Sequence, residues 1–404
     1  MVNRGRRSRC AAVTAVAIAA LAAPAGAAPE PRCTRSVERV EHGTWTTTPV
    51  DGIEGAYPGW RMAADPHDPR LVVVADSAGV LVTRDGGCRW TRGVLYDDVA
   101  PEWSLLPAGA AVARGPRGRT LHVLALDVAT RRAFLLSSDD DGRAWSVTEP
   151  PLEATGGSPA AAALAAEPSR SGRLYLHLQH RTTSGALLAT DDSGATWEWS
   201  ALTTFGGPSG ICAAPAPCTA PPLLQAEAAG AGAVWGVAAA SDGEARRLVR
   251  SGDAGVSWED VRAPVMTGGP SHIDVVPGGV PTVLLLGDRG DFAVSRDGGA
   301  SWEVGKLREL SEGGQISSET HDAAHLAGGR AFAALAGTGP GPWSGNVMLF
   351  DGREWENVAP EAYAGFDRKD GEGRPLFFTE LTGSRGSFAM LSSRGLLATF
   401  RPGR

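Results

Sequence analysis

The chain has 404 residues, 43% of them hydrophobic, with 53 Gly, 28 Pro, five Cys and a formal charge of −7. That apolar share suffices for a core, and the Gly and Pro content points to many turns. An acidic chain repels phosphate backbones, which argues against a nucleic-acid partner, and no basic run suggests binding to anionic lipid.

Residues 1–27 read as a cleaved export signal. Arg4, Arg6, Arg7 and Arg9 form a basic start, Ala11 to Ala23 is an apolar run, and Ala25-Gly26-Ala27 is a small-residue cleavage site. The run is shorter than the roughly 20 residues that span a bilayer, so no membrane span is expected in the mature chain. Cys10 lies inside the signal, and Pro29-Glu30-Pro31-Arg32 before Cys33 is not a lipobox. From residue 28 onward, 34 basic residues face 45 acidic ones, a charge of −11. Lys306 and Lys369 stand against 36 Arg, which with the Ala-rich composition suggests a GC-rich bacterial genome.

Four Cys remain, an even number that suggests two disulfides in an exported chain. Cys212 and Cys218, six apart in a Pro/Ala-rich loop, are expected to pair, which leaves Cys33 with Cys88. A metal site would need a Cys-x-x-Cys or a nearby His, and neither is present.

A pattern Ser/Thr-x-Asp-x-Gly-x-x-Trp recurs along the chain. It reads Thr83, Asp85, Gly87, Trp90, then Ser138, Asp140, Gly142, Trp145, then Thr190, Asp192, Gly194, Trp197. Two further copies are Ser251, Asp253, Gly255, Trp258 and Ser295, Asp297, Gly299, Trp302. A worn copy keeps Gly352 and Trp355 but has Met348 and Phe350 for the first two positions, and Trp45 closes a segment with no such pattern. The seven Trp are 45, 55, 52, 61, 44 and 53 residues apart, the length of one four-stranded repeat with its loops. Each copy follows a short apolar strand and precedes another. Asp and Ser/Thr can bond the turn's own backbone, Gly supplies positive φ, and Trp can pack between neighbouring sheets.

These segments resemble the Asp boxes of BNR-repeat propellers. That fold serves sialidases, xyloglucan-degrading glycosidases, sortilin-type ectodomains and a photosystem assembly factor. Arg61 to Val74, a strand, an Asp-Pro turn and a strand, agrees with the inner strands of those repeats. The resemblance covers about residues 34–404. It implies an all-β, seven-bladed β-propeller of four-stranded antiparallel blades, forming one domain over 28–404. After Trp355 the chain has strands near 375–379, 387–391 and 395–400, so the fourth strand of the last blade is expected from the N-terminus around 36–48. That closure hides sheet edges and brings Cys33 beside Cys88 at the seam.

In such propellers the boxes lie on one rim and binding sites around the channel on the other. A structural role is therefore expected for Asp85, Asp140, Asp192, Asp253 and Asp297. The channel-face loops run near 50–60, 95–107, 149–159, 202–221, 262–272, 305–320 and 358–374. They bring forward Tyr57, Trp60, Arg61, Trp103, His272, Asp274, Glu319 and His321 as ligand-binding candidates, since aromatic residues beside charged ones suit peptide or sugar recognition. For Trp60 and Trp103 the favoured reading is that they plug the channel or pack between blades, since apolar aromatics are most often core. The loop 202–221 is long enough to serve as a lid or contact surface. His321-Asp322-Ala323-Ala324-His325 resembles a zincin helix, but it falls where an inner strand is due. In a strand the two His are about 13 Å apart, so no metal and no cofactor are expected.

A catalytic sialidase would show an Arg-Ile-Pro motif near the first inner strand, which is absent, and a Tyr nucleophile with a Glu partner. Tyr57 with Glu54 is the best such pair, Arg61 occupies roughly the missing motif's region, and no catalytic residue is assigned. Xyloglucan-type enzymes use two propellers in tandem, and this chain has room for one. The expected function is binding or assembly of a protein or glycan ligand, with glycoside hydrolysis as the alternative.

Overall fold

Val72, Val73, Val74 and Ala75 are all fully buried, as a short apolar run must be when both faces of its strand are covered. This pattern recurs around the molecule. The computed structural model describes residues 33, 35–53, 60–99, 104–115, 118–127, 129–130, 132–151, 159–167, 170, 172–180, 184–204, 223–239, 246–266, 269–287, 290–307, 320–325, 332–337, 344–351, 354–358, 378–392 and 395–403. Among the described residues almost all of the regular structure is β, the one helix being a single turn.

The chain opens with a hairpin, β1 (Ser36–Val40) and β2 (Gly43–Pro49). The first four-stranded sheet is β3 (Arg61–Ala64), β4 (Val72–Ala75), β5 (Gly79–Thr83) and β6 (Thr91–Leu95), followed by the turn α1 (Tyr96–Val99). The second is β7 (Leu105–Gly115), β8 (Gly118–Asp127), β9 (Ala133–Ser138) and β10 (Ser146–Thr148). The third is β11 (Pro159–Ala166), β12 (Leu174–His180), β13 (Ser184–Thr190) and β14 (Glu198–Thr204). The fourth is β15 (Leu223–Gly230), β16 (Ala233–Ala239), β17 (Arg246–Ser251) and β18 (Glu259–Val261). The fifth is β19 (Pro270–Val276), β20 (Thr282–Gly287), β21 (Asp291–Ser295) and β22 (Glu303–Lys306). All are antiparallel meanders. The remaining strands are β23 (Thr320–His325), β24 (Phe332–Gly337), β25 (Ser344–Phe350), β26 (Trp355–Asn357), β27 (Phe378–Ser384), β28 (Ser387–Ser392) and β29 (Leu396–Pro402). They join β2 and β1 in one nine-stranded sheet.

Counted by hydrogen-bonded sheets, the propeller has six blades, which corrects the expected seven. The repeat count marks hairpins, and a hairpin does not say where one sheet ends. Here Ser344 on β25 pairs with Phe378 on β27, and that bridge fuses all strands after β22 into a single sheet. The N-terminal segment also differs from the expected single strand. It is a hairpin whose β2 pairs with β29 along Gly43 to Pro49, while β1 is the outer edge.

The first strands of the successive meanders touch in a closed circuit, β3 to β7, β11, β15, β19, β23, β27 and back to β3. Apolar layers fill the space between neighbouring sheets. Val73 and Val82 of the first sheet pack with Leu121, Val123 and Trp145 of the second. Trp45, Phe388 and Phe400 form the core of the closing sheet. Cys33 and Cys88 form a disulfide, Cα atoms 4.8 Å apart, that ties the N-terminal segment to the first sheet. Cys212 and Cys218 lie outside the described residues. No helix among the described residues is long and apolar enough to cross a membrane.

Candidate functional site

The register of each meander separates two rims. In the first sheet Ala64, Val72 and Thr83 are level at one end, while Arg61, Ala75 and Val80 are level at the other. The Ser/Thr-Asp-Gly-Trp turns occupy the first of these ends.

Each turn is closed from within. The hydroxyls of Thr83, Ser138, Thr190, Ser251 and Ser295 donate to the Asp two residues on, at 2.8–2.9 Å. The same hydroxyls accept from the Gly N–H four residues on, at 2.7–2.9 Å. The carboxylates then accept backbone N–H groups further along the turn, those of Arg143 and Ala144 for Asp140 and that of Ser301 for Asp297. The Gly is required twice over. Gly142 has φ +83°, and a Cβ there would meet Val82 of the preceding sheet at 2.8 Å. Gly299 has φ +89° and the same conflict with Val261. Each turn thus also locks one sheet onto the previous one.

These bonds lower the carboxyl pKa values of Asp140, Asp192, Asp253 and Asp297. The Ser257 and Ser301 hydroxyls and amides hold Asp253 and Asp297 below the ordinary range, Asp297 at about 2. For Asp140 and Asp192 burial pushes upward, and the donors of the turn more than offset it. Carboxylates held ionised and engaged in this way do not suit general-acid work.

The opposite rim holds the channel-mouth candidates. Arg61 is half buried at the start of β3. Its Nη1 donates to the Trp60 carbonyl at 2.7 Å and its Nε to the Ala108 carbonyl of the second sheet at 3.3 Å. The Trp60 side chain is buried with Met62, Val74 and Leu391, between the first sheet and the closing one. His272 is half buried on β19, level with Leu286 and Phe292. Asp274, two residues on, is buried and accepts from the N–H of Val275. The strand β19 touches β15 and β23 rather than β3, so Arg61 and His272 sit on different arcs of the mouth. Tyr57, Trp103 and Glu319 lie outside the described residues. His321 falls in β23, within a strand that carries the whole His321–His325 motif, rather than on a helix. Among the described residues no three His, Cys, Asp or Glu are grouped to hold a metal.

One feature of this rim has no signature in the sequence. The first strands β7, β11, β15, β19, β23 and β27 each break register near their mouth end. The extra residues are Ala108, Ala160, Leu224, Ser271, His321 and Thr379. A bulge leaves its residue out of the ladder and re-aims the strand. The Ala108 carbonyl shows the use of one, because it receives the Arg61 guanidinium. Bulges depend on how strands pair, and their residues here are of five different types, so no motif marks them.

The fold and this mouth define the protein as a β-propeller with a ring of bulged first strands. No protein-family model matches the chain, and no curated protein matches it. Among solved structures it is similar to YCF48 bound to D1 peptide, with a TM-score of 0.55 and 15% identity over 91% of this chain and 99% of that one. It is also similar to YCF48 from Cyanidioschyzon merolae, with a TM-score of 0.53 and 13% identity over 88% and 98%. A selenomethionine-substituted virginiamycin B lyase from Staphylococcus aureus follows at 0.52 and 10% over 88% and 98%. Such identities show a shared fold alone.

Proposed function

We propose that this chain is an exported Asp-box (BNR-repeat) β-propeller that binds another protein at the channel mouth as a binding or assembly scaffold, taking an extended peptide segment as ligand. The observation that carries this reading is the ring of six bulges with Arg61 set against one of them. Bulged backbone offers N–H and C=O groups outside the ladder, which is how a strand-like peptide is held without regard to its sequence. Arg61 adds a fixed positive charge at that rim. YCF48, whose fold is shared, has been seen with a peptide bound, which favours a peptide over a glycan here.

Export rests on the basic, apolar and small-residue sections of 1–27 and is supported by the Cys33–Cys88 disulfide, since such bonds persist in oxidising compartments. The mature domain would be 28–404. Glycoside hydrolysis is tested directly by offering the purified protein a panel of fluorogenic glycosides that includes a sialoside. The scaffold reading expects no turnover above a heat-killed control. Turnover abolished by Tyr57→Phe, in a protein of unchanged melting temperature, would replace it with an enzyme.

A further inference from the structure

On the rim opposite the mouth, where the closing sheet meets the first sheet, lies a cleft of about 560 Å³. Its walls come from the N-terminal segment, β2, β29, the β3–β4 turn and the first Asp-containing turn. Arg35, Arg70, Arg84 and Arg401 line it, with Asp85 as the one lining carboxylate. Asp85 is already engaged, taking the Thr83 hydroxyl and the N–H groups of Cys88 and Arg89. A chain of net charge −7 thus gathers four guanidiniums around one cleft.

Among the described residues only Arg70 of these four is ion-paired with a carboxylate. Arg70 is bound on one side by Asp68. Arg35 donates to the backbone carbonyl of Asp85 at 2.6 Å. Arg84 donates to the backbone carbonyl of Asp141, and its buried Nε has no hydrogen-bond partner among the described residues. Burial, and then the neighbouring charge of Arg143, hold the Arg84 pKa below its ordinary value, against the pull of Asp141 and Asp140. Arg401 is exposed. Hydroxyls complete the wall. Thr44 is level with Arg401 and Thr46 with Thr399 on the paired strands β2 and β29, so all four side chains share one face. The cleft size lies within the range of small-molecule sites. Guanidinium forks match carboxylate and phosphate oxygens in pairs.

We propose that this seam cleft binds a small polyanion, its oxyanion groups held by Arg35, Arg70, Arg84 and Arg401 and its hydroxyl or carbonyl groups by Thr44, Thr46 and Thr399. The carboxylate or phosphate chemistry is shared by acidic peptide ends and by phosphorylated metabolites. The Cys33–Cys88 bond fixes the segment that carries Arg35, so the site is complete when the seam is closed.

Calorimetric titration of the full chain at low salt, with tri-glutamate, pyrophosphate and uncharged tri-glutamine, tests it. Saturable single-site binding of either anion is expected, with none for tri-glutamine. Tighter binding of tri-glutamate would assign the carboxylate source, and tighter binding of pyrophosphate the phosphate source. Arg401→Gln, at an exposed position that leaves the core untouched, should weaken the preferred anion about tenfold, and adding Arg84→Gln about tenfold more. Binding of neither anion, equal binding of tri-glutamine, or an unchanged affinity in Arg401→Gln of wild-type melting temperature would overturn the proposal.

Discussion

The indole N–H of Trp45 donates a 2.6 Å hydrogen bond to the carbonyl of Val358, 313 residues further along the chain. The same ring meets Phe388 edge-on at 5.5 Å and lies 4.8 Å from Phe400, so the N-terminal hairpin is pinned into the core built by the C-terminal strands. Trp45→Ala is expected to cost about 3–5 kcal/mol, as other buried aromatic truncations do. Trp45→Phe keeps most of the packing but strands the Val358 carbonyl, for about 1–3 kcal/mol. Urea denaturation of both variants checks this. An alanine variant as stable as the wild type would show that the seam is held elsewhere.

Joining Cys33 to Cys88 closes a loop 55 residues long in the unfolded chain. Restricting such a loop is worth about 2–4 kcal/mol. Cys33→Ser/Cys88→Ser should therefore unfold at a lower urea midpoint. Either single variant, Cys33→Ser or Cys88→Ser, should reproduce the loss. A double variant with the wild-type midpoint would contradict it.

The turns between paired strands should fail in two separable ways. Asp140→Ala removes the acceptor of the Ser138 hydroxyl and of two backbone N–H groups, for about 1–3 kcal/mol. Gly142→Ala keeps every bond but forces a Cβ into φ +83° and against Val82 at 2.8 Å, for about 1–3 kcal/mol of strain. Their melting temperatures test this. The glycine variant alone should show altered chemical shifts at Val82, because only it presses on the neighbouring sheet.

Acid should loosen the same turns. Asp140, Asp192, Asp253 and Asp297 are held below the ordinary value of 3.8, Asp297 at about 2. A depressed folded-state pKa contributes stability that is present above the unfolded value and is lost as pH falls through the folded one. Melting temperature should therefore drop between pH 3.8 and about 2. The drop should be smaller in Asp297→Asn, which has one such carboxyl fewer. An equal drop in that variant would remove Asp297 from the account.

The parts that could be read in advance are those whose chemistry is local. Thr83, Asp85 and Gly87 act on one another within five residues, so the turn between β5 and β6 is spelled by consecutive letters. Four Cys in an exported chain leave few pairings, and the Cys33–Cys88 bond is present in the fold. Long-range pairing left no such mark. Nothing about Ser344 or Phe378 announces the bridge that merges two meanders into one sheet. Ala108 reads as an ordinary strand alanine, yet its bulged carbonyl receives Arg61. Residue type alone does not separate a contact Trp60 from a packed one, and its neighbours in space, Met62, Val74 and Leu391, bury it. The cleft is the extreme case, since positions 35, 70, 84 and 401 become neighbours only when the ring closes.

Capture of extended peptides by the mouth around Arg61 is tested by panning a phage-displayed random 12-residue peptide library on the immobilised protein. Enriched peptides should bind the wild type in solution, with affinity reduced about tenfold or more in Arg61→Ala at an unchanged melting temperature. Failure of any peptide to enrich, or peptides that bind Arg61→Ala as tightly as the wild type, would contradict it.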